Sequence, residues 1–403
     1  MKRILFVAEA VTLAQVVRLL TLARALPPTE FDVHFASAPL RWPGMDLRGL
    51  TLHVLASRSP AQLERSLRRG DRLYSRRTLA GYLEDDLRLL DQVEPDLVVG
   101  DLRWTLPGAA RLRGIPAATL INAYWSPHAV RERFPVPHHP LVRLMGEDLV
   151  ARGLPLAMPW VLRQFARPLD AVRASRGLPA LGDLLHVLTD GTEVLYPDVP
   201  ELVPTRDLPA HHHFLGPVLW EPEVPLPPDW PPPRGAPVVY VTLGSSGASE
   251  LLPGILAELG RLPVQLVVAT AGRLRPATVP PNALVTEFLP GSEAVGRAGV
   301  VVTNGGSSTG YQALFRGRPV VGVPWNLDQL LASQIIEAAG AGASVRATPK
   351  GIRSIAALVD AALGGAWAEG AERARVALGR LDSAERFVAR VRHALRAAPS
   401  SSS

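Results

Sequence analysis

The sequence predicts an α/β protein of two domains, each a doubly wound parallel sheet, and three observations carry that reading. Its 403 residues are too many for one compact core, so two domains of ordinary size follow. Short apolar runs alternate with helix-period segments from end to end, the pattern of parallel strands with helices on both faces. A proline-dense stretch, GPVLWEPEVPLPPDWPPPRGAP at 216–237, cannot be helix or central strand and reads as a stiff linker.

The elements follow in order. In the first half, 3–8, 31–36, 97–99 and 117–121 read as buried parallel strands, and LAQVVRLLTLARAL carries a helical period between the first two. In the second half, 238–243, 266–269, 300–303 and 320–323 do the same. The boundaries expected are an N-terminal domain at 1–216, a linker at 217–236 and a C-terminal domain at 237–380. A last helix at 381–398 is expected to pack back on the N-terminal domain, before a disordered serine-rich tail at 399–403. Ligands of such sheets bind beyond the carboxyl ends of the strands, so a cleft between the domains is the expected site.

Composition narrows the class. A hydrophobic share of 47% supports large cores, and a charged share of 20% argues against disorder. The net charge of +6 comes from arginines spread along the chain, with Lys2 and Lys350 the only lysines, so no nucleic-acid surface is expected. There is no cysteine, hence no disulfide, thiol nucleophile or thiolate metal site. MKRILFVAEA lacks the long apolar core and cleavage site of a signal peptide, and no stretch approaches the ~20 apolar residues that cross a bilayer. A cytoplasmic protein is expected, monomer or homodimer, with peripheral membrane contact left open.

Two familiar nucleotide motifs are missing. The first strand-to-helix turn, AEAVTLA, has no glycine, against a dinucleotide-binding G-x-G-x-x-G, and no P-loop occurs. The second half offers two glycine-bounded turns, GSSG at 244–247 and NGGSST at 304–309. In the latter, Gly305 and Gly306 allow a tight turn. The amides of residues 307–309 would then open a helix, where the dipole favours a phosphate. An ordinary turn with Ser308 or Thr309 as cap fits equally on turn chemistry alone. Asp328 and Gln329 stand after the next strand, at the same sheet edge, and a carboxylate beside a carboxamide suits sugar hydroxyls. The alternative there is that Asp328 caps the following helix.

The run through Asn304, Gly305, Gly306, Thr309, Ala313, Leu314, Gly317, Pro319, Pro324, Asp328, Gln329 and Gly340 resembles the donor signature of family 1 glycosyltransferases. The likeness is greatest to the bacterial macrolide-type branch of the UDP-glycosyltransferase superfamily. RILFV, LARAL, PDLVVGD, FLGPV and FLPGSEAV extend it along the chain. The resemblance implies the GT-B fold, with two Rossmann-like domains facing a cleft. It also implies an inverting transfer from a nucleoside-diphosphate sugar, in UDP or dTDP form, with no other cofactor. By it, Ser245 and Leu289 would lie by the nucleoside, and Asn304, Gly305, Gly306, Ser308 and Thr309 would hold the pyrophosphate. Trp325, Asp328 and Gln329 would hold the sugar. Asn304 stands where the family commonly has histidine, and its amide can still donate to phosphate.

On the acceptor side, Asp101 resembles the aspartate that orients the catalytic histidine, though a strand-end Asp also caps turns. Tyr124 and Trp125, with His128, would be acceptor contacts, or the aromatics would be core. The histidine's own position is occupied by Gln15, whose amide cannot take a proton. Thr12 and Gln15 also spell a capping box. Gln15 and Asp101 are therefore the candidate catalytic positions, with Asp101 the substitute base and His128 a second choice. His211, His212 and His213 cannot all face one ion on an extended segment, so no metal is expected. His138 and His139, between Pro137 and Pro140, read as a surface loop near the acceptor side.

The expected function is transfer of a sugar to a small, apolar acceptor, its pocket built from the least patterned stretches, 55–90 and 124–190. The alternatives are a catalytically silent binding protein of the same fold and a nucleotide-sugar epimerase, for which no second set of acid/base carboxylates is evident.

Overall fold

The computed structural model describes residues 1–39, 42–138, 142, 145–232 and 235–397. His139, Pro140 and the tail at 399–403 lie outside the described residues. The chain divides into two units: Leu219–Arg380 with Trp42–Asp46, and the remainder, which takes back the segment from Leu381.

The first unit is built on a seven-stranded sheet of β1 (Lys2–Ala8), β2 (Phe31–Ser37), β3 (Thr51–Val54), β4 (Leu97–Asp101), β5 (Ala117–Leu120), β6 (Glu193–Tyr196) and β7 (His212–Phe214). Their order is β3-β2-β1-β4-β5-β6-β7, and every pairing is parallel. Ile4, Leu5, Phe6 and Val7 of β1 are fully buried because helices cover both faces of a central parallel strand. One of those helices is the C-terminal Ser383–Ala397. Its Phe387 is fully buried with its ring 5.9 Å from that of Phe6. Arg390 donates to both carboxylate oxygens of Glu193 at 2.9 Å, and Arg386 donates to the Phe214 carbonyl at 2.8 Å.

The second unit holds β8 (Val238–Thr242), β9 (Gln265–Ala269), β10 (Ala283–Thr286), β11 (Ala298–Thr303), β12 (Val320–Gly322) and β13 (Gly342–Ser344), ordered β10-β9-β8-β11-β12-β13, again parallel. Val239, Val241, Val300 and Val302 pack against Ile255, Leu259, Ile355 and Val359, all fully buried. Each such side chain contributes roughly 1.5–3 kcal/mol.

Five strands escape sequence patterning: β3, β6, β7, β10 and β13. β3 and β10 are edge strands with no buried face, β13 has three small residues, and β6 and β7 carry Glu193, His212 and His213. In each sheet the order reverses between the first strand and the fourth, so a crevice opens at the carboxyl ends of β1 and β4, and of β8 and β11.

Candidate active site

At the head of the second sheet, β11 runs into Asn304 and the turn closes on Gly305, whose φ of +78° is left-handed backbone. A Cβ on Gly305 would stand 2.4 Å from Ser333 Oγ, so only glycine fits. The Gly306 amide donates to Asn304 Oδ1 at 3.0 Å, and helix Ser307–Phe315 begins with no side-chain cap and no acidic residue in its first turn. The alternative, a cap by Ser308 or Thr309, is not made. An uncapped start with a positive dipole end is a seat for an anion.

Ser246, which the sequence did not single out, ties three loops together. Its carbonyl accepts from Trp325 Nε1 at 2.6 Å and Gln329 Nε2 at 3.2 Å, and its hydroxyl accepts from Asn304 Nδ2 at 3.3 Å. Gln329 Oε1 also accepts from the Trp325 amide at 3.1 Å, and Gln329 is 2% exposed. Trp325 and Gln329 therefore fix the loop that carries Asp328, and their polar atoms meet protein. Asp328 itself is exposed. It is not the cap of helix Leu327–Ala338; that role belongs to Asn326, which accepts from the Gln329 amide at 3.0 Å. Ser245 is half-buried in the first glycine turn and Leu289 is buried. The sign of Ser246's role was the GSSG turn itself, where a Cβ on Gly247 would meet the Leu243 carbonyl at 2.2 Å.

At the head of the first sheet, Thr12 opens helix Leu13–Arg24 without capping it. Its hydroxyl instead donates to Gln15 Oε1, so the capping box does not form. One turn on, Arg18 sends Nη2 and Nε to Asp101 Oδ2, at 2.8 and 3.1 Å, and Nη1 to Asn122 Oδ1 at 2.6 Å. Asn122 Nδ2 donates to Asp198 Oδ1 at 2.9 Å, and the Ala123 amide donates to its other oxygen at 2.6 Å. This chain of buried groups joins the carboxyl ends of β4, β5 and β6. Asp101 thereby answers Arg18 rather than Gln15.

A second buried network lies beside it. Arg103 donates to Glu9 Oε2 at 3.0 Å and Asp86 Oδ1 at 2.9 Å, and its guanidinium sits 3.8 Å above the Tyr82 ring. Burial pushes the Asp86 carboxyl up to about 6, against the pull of Arg103. Tyr124 and Trp125, 2% and 8% exposed, are placed as core, and His128 is the half-open member of that group. The three consecutive histidines diverge: His212 lies 2.6 Å from the Tyr196 hydroxyl, while His213 Nε2 meets Glu193 at 3.0 Å. Among the described residues no His/Asp/Glu group is arranged to hold a metal ion.

Two six- and seven-stranded Rossmann-like sheets, with an uncapped, glycine-hinged helix start heading the second, define the GT-B class of glycosyltransferase fold. Residues 229–362 match the family model "UDP-glucoronosyl and UDP-glucosyl transferase". Among curated relatives, the "PGL/p-HBAD biosynthesis rhamnosyltransferase" of Mycobacterium bovis (strain BCG / Pasteur 1173P2) is 49% identical over 351 residues, 86% of this chain and 77% of that one. An "Inactive PGL/p-HBAD biosynthesis glycosyltransferase" of the same strain is 44% identical over 263 residues, 64% of this chain and 71% of its own. Among solved structures, the Streptomyces sp. SF2575 glycosyltransferase SsfS6, complexed with thymidine diphosphate, superimposes with a TM-score of 0.68 at 20% identity, over 98% of this chain and 100% of that one. The chain belongs to family 1 of the glycosyltransferases, the UDP-glycosyltransferase superfamily.

Proposed function

We propose that this glycosyltransferase moves a rhamnosyl-type sugar from a nucleoside diphosphate, dTDP or UDP, to an acidic hydroxyl of a small apolar acceptor, a phenol. The observation that carries the donor half is the uncapped helix start behind Gly305 and Gly306. The sugar class is taken from the relative named a rhamnosyltransferase, and dTDP from the neighbour with thymidine diphosphate. In the transfer, the acceptor oxygen bonds to the anomeric carbon from the face opposite the leaving group. The carbon–phosphate-oxygen bond breaks, its electron pair stays on the diphosphate, and the amides at the turn stabilise that charge. The configuration inverts. No metal or further cofactor enters this reading, and nucleotide sugars as co-substrates put the reaction in the cytoplasm.

The acceptor's proton decides its class. Gln15 cannot take it, and Asp101 already answers Arg18. A phenol ionises several units more easily than an alcohol, so it can release its proton to water and attack as the phenolate without a strong base. The second reading, a silent donor-binding protein, rests on the same Gln15 and on the relative whose name carries "Inactive". Mass spectrometry of products from dTDP- and UDP-linked sugars, with alcohols and phenols of graded acidity, separates the two. Transfer that rises with phenol acidity in the wild type, and extends to alcohols in Gln15→His, is expected. Equal wild-type turnover of alcohols and phenols would remove the phenol; donor binding without any transfer, in either protein, would establish the silent form.

A further inference from the structure

Helix Glu147–Ala174 carries a face that its own unit leaves uncovered. Its inner side is apolar in the ordinary way, with Met158, Leu162, Ala166 and Leu169 buried. The opposite stripe, at spacings of three and four residues, reads Leu149, Arg152, Leu156, Trp160, Arg163 and Arg167, and all six are exposed. Leu156 is 87% exposed and Trp160 62%. Large apolar side chains aligned in water mark a surface that something covers.

Charge says what covers it. Arg167 ends the stripe and lines a hollow of about 370 Å³ with Arg72, Tyr74, Ser75, Arg76 and Pro168. Arg72 and Arg167 both donate to the neutral amide oxygen of Gln164, at 3.2 and 3.0 Å. Among the described residues, none of Arg72, Arg76, Arg152, Arg163 and Arg167 has a carboxylate partner. Helix Arg76–Val93 starts at this hollow with no acidic residue in its first turn, so its dipole adds to the positive field. No carboxylate occurs between residues 149 and 167; Glu147 and Asp148 precede the stripe, and Asp170 beyond it accepts from the Leu181 and Gly182 amides, while Asp71 stands beside Arg72 in the chain.

We propose that this face docks on an anionic lipid bilayer, with Leu156 and Trp160 entering the headgroup boundary and the arginines meeting lipid phosphates. Tryptophan, leucine and arginine on one helix face are the residues such a boundary takes up. A second copy of the chain fits worse. A self-complementary contact would set the same unpaired guanidiniums against each other with no carboxylate to answer them. The proposal is independent of the donor and acceptor assignments.

Flotation of the full chain with vesicles tests it, comparing phosphatidylcholine alone with phosphatidylcholine containing phosphatidylglycerol. The expected result is binding to the anionic vesicles only, weakening as salt is raised. Arg163→Gln and Arg167→Gln should each lower the partition roughly fivefold. Leu156→Ser with Trp160→Ser should lower it by about tenfold or more. All four positions are exposed, and unchanged thermal melting shows that each variant folds. Failure to float, equal binding to neutral vesicles, or variants that float like wild type would each overturn the proposal. So would a dimer in light scattering that Trp160→Ser dissociates, since a second copy would then own the face.

Discussion

Arg18 places two guanidinium nitrogens on one oxygen of Asp101, at 2.8 and 3.1 Å, where Asp101 is fully buried and Arg18 is 6% exposed. Gln15 lies one helical turn before Arg18. An arginine supplies the positive charge beside Asp101, and Gln15 bonds Thr12 instead. An arginine side chain keeps its charge at neutral pH, so Arg18 holds Asp101 as a fixed positive group.

That pair should dominate the stability of the first unit. Arg18→Met leaves the Asp101 charge buried without its guanidinium, and such truncations cost about 3–5 kcal/mol. Replacing both partners by apolar residues, Arg18→Met with Asp101→Leu, should recover part of the loss, because two charges are then spared desolvation. Urea unfolding of the wild type and these two variants measures this. A single variant that loses under about 1 kcal/mol would mean the pair is solvated in solution.

The donor turn gives a binding prediction. Gly306 has ordinary backbone, but a Cβ there would stand 3.1 Å from Asn304 Oδ1, the acceptor of its own amide. Gly306→Val should push Asn304 out of the turn and weaken UDP or dTDP by about tenfold or more, the scale of one lost charge-assisted contact. Thermal stability should hold, in contrast to Gly305→Ala, which drives a methyl into Ser333. Titration calorimetry on both proteins reads the difference; equal affinities would move the nucleotide elsewhere.

Much of this was legible in the chain, and the gaps have physical causes. Central strands such as β1 and β11 declare themselves because both faces are buried and their middles, ILFVA and VVV, are unbroken apolar runs. Edge strands β3 and β10 have no such signature. Helix Glu147–Ala174 holds Pro155, Pro159 and Pro168, which hide a 28-residue helix from any propensity argument. In the site, the glycine turn and Asp328 were visible from spacing. Ser246 was not, because the bonds from Trp325 and Gln329 go to its backbone carbonyl, which any residue would carry. Arg18 could have been noticed as a lone charge on the buried face of LAQVVRLLTLAR.

Asp328 and Gln329 should separate under mutation although they are neighbours. Asp328 is exposed and Asn326 does the capping, so Asp328→Ala should leave folding intact. If its carboxylate accepts from sugar hydroxyls, the intact nucleotide sugar weakens by about 1–3 kcal/mol and the bare nucleotide hardly changes. Gln329→Ala instead unties Trp325 and Ser246, so both ligands weaken and the second unit melts earlier. Calorimetry with a nucleotide and its sugar form decides between them. Parallel losses in Asp328→Ala would make that carboxylate structural.

The last prediction concerns His212, at the Tyr196 hydroxyl in a pocket also bordered by His128 and His211. Burial first, then the neighbouring histidines, lowers its pKa from 6.5 to about 4. The folded chain therefore keeps it neutral while the unfolded chain protonates near 6.5, so the unfolded state binds more protons across this window. Stability from this group is fully present above pH 6.5 and is lost as pH falls toward 4. The opposite holds for Asp86, whose raised pKa makes the fold gain on acidification over part of the same range. The two slopes oppose each other, so wild-type data alone would hide both. His212→Asn keeps a polar partner for Tyr196 and removes one titration. Between pH 6.5 and 4 the wild type should lose about 1–2 kcal/mol relative to that variant, once solvent screening is allowed for. Chemical unfolding of both proteins across the range gives the difference directly. Parallel curves would show that His212 titrates normally in the fold, and that the pocket around Tyr196 admits water.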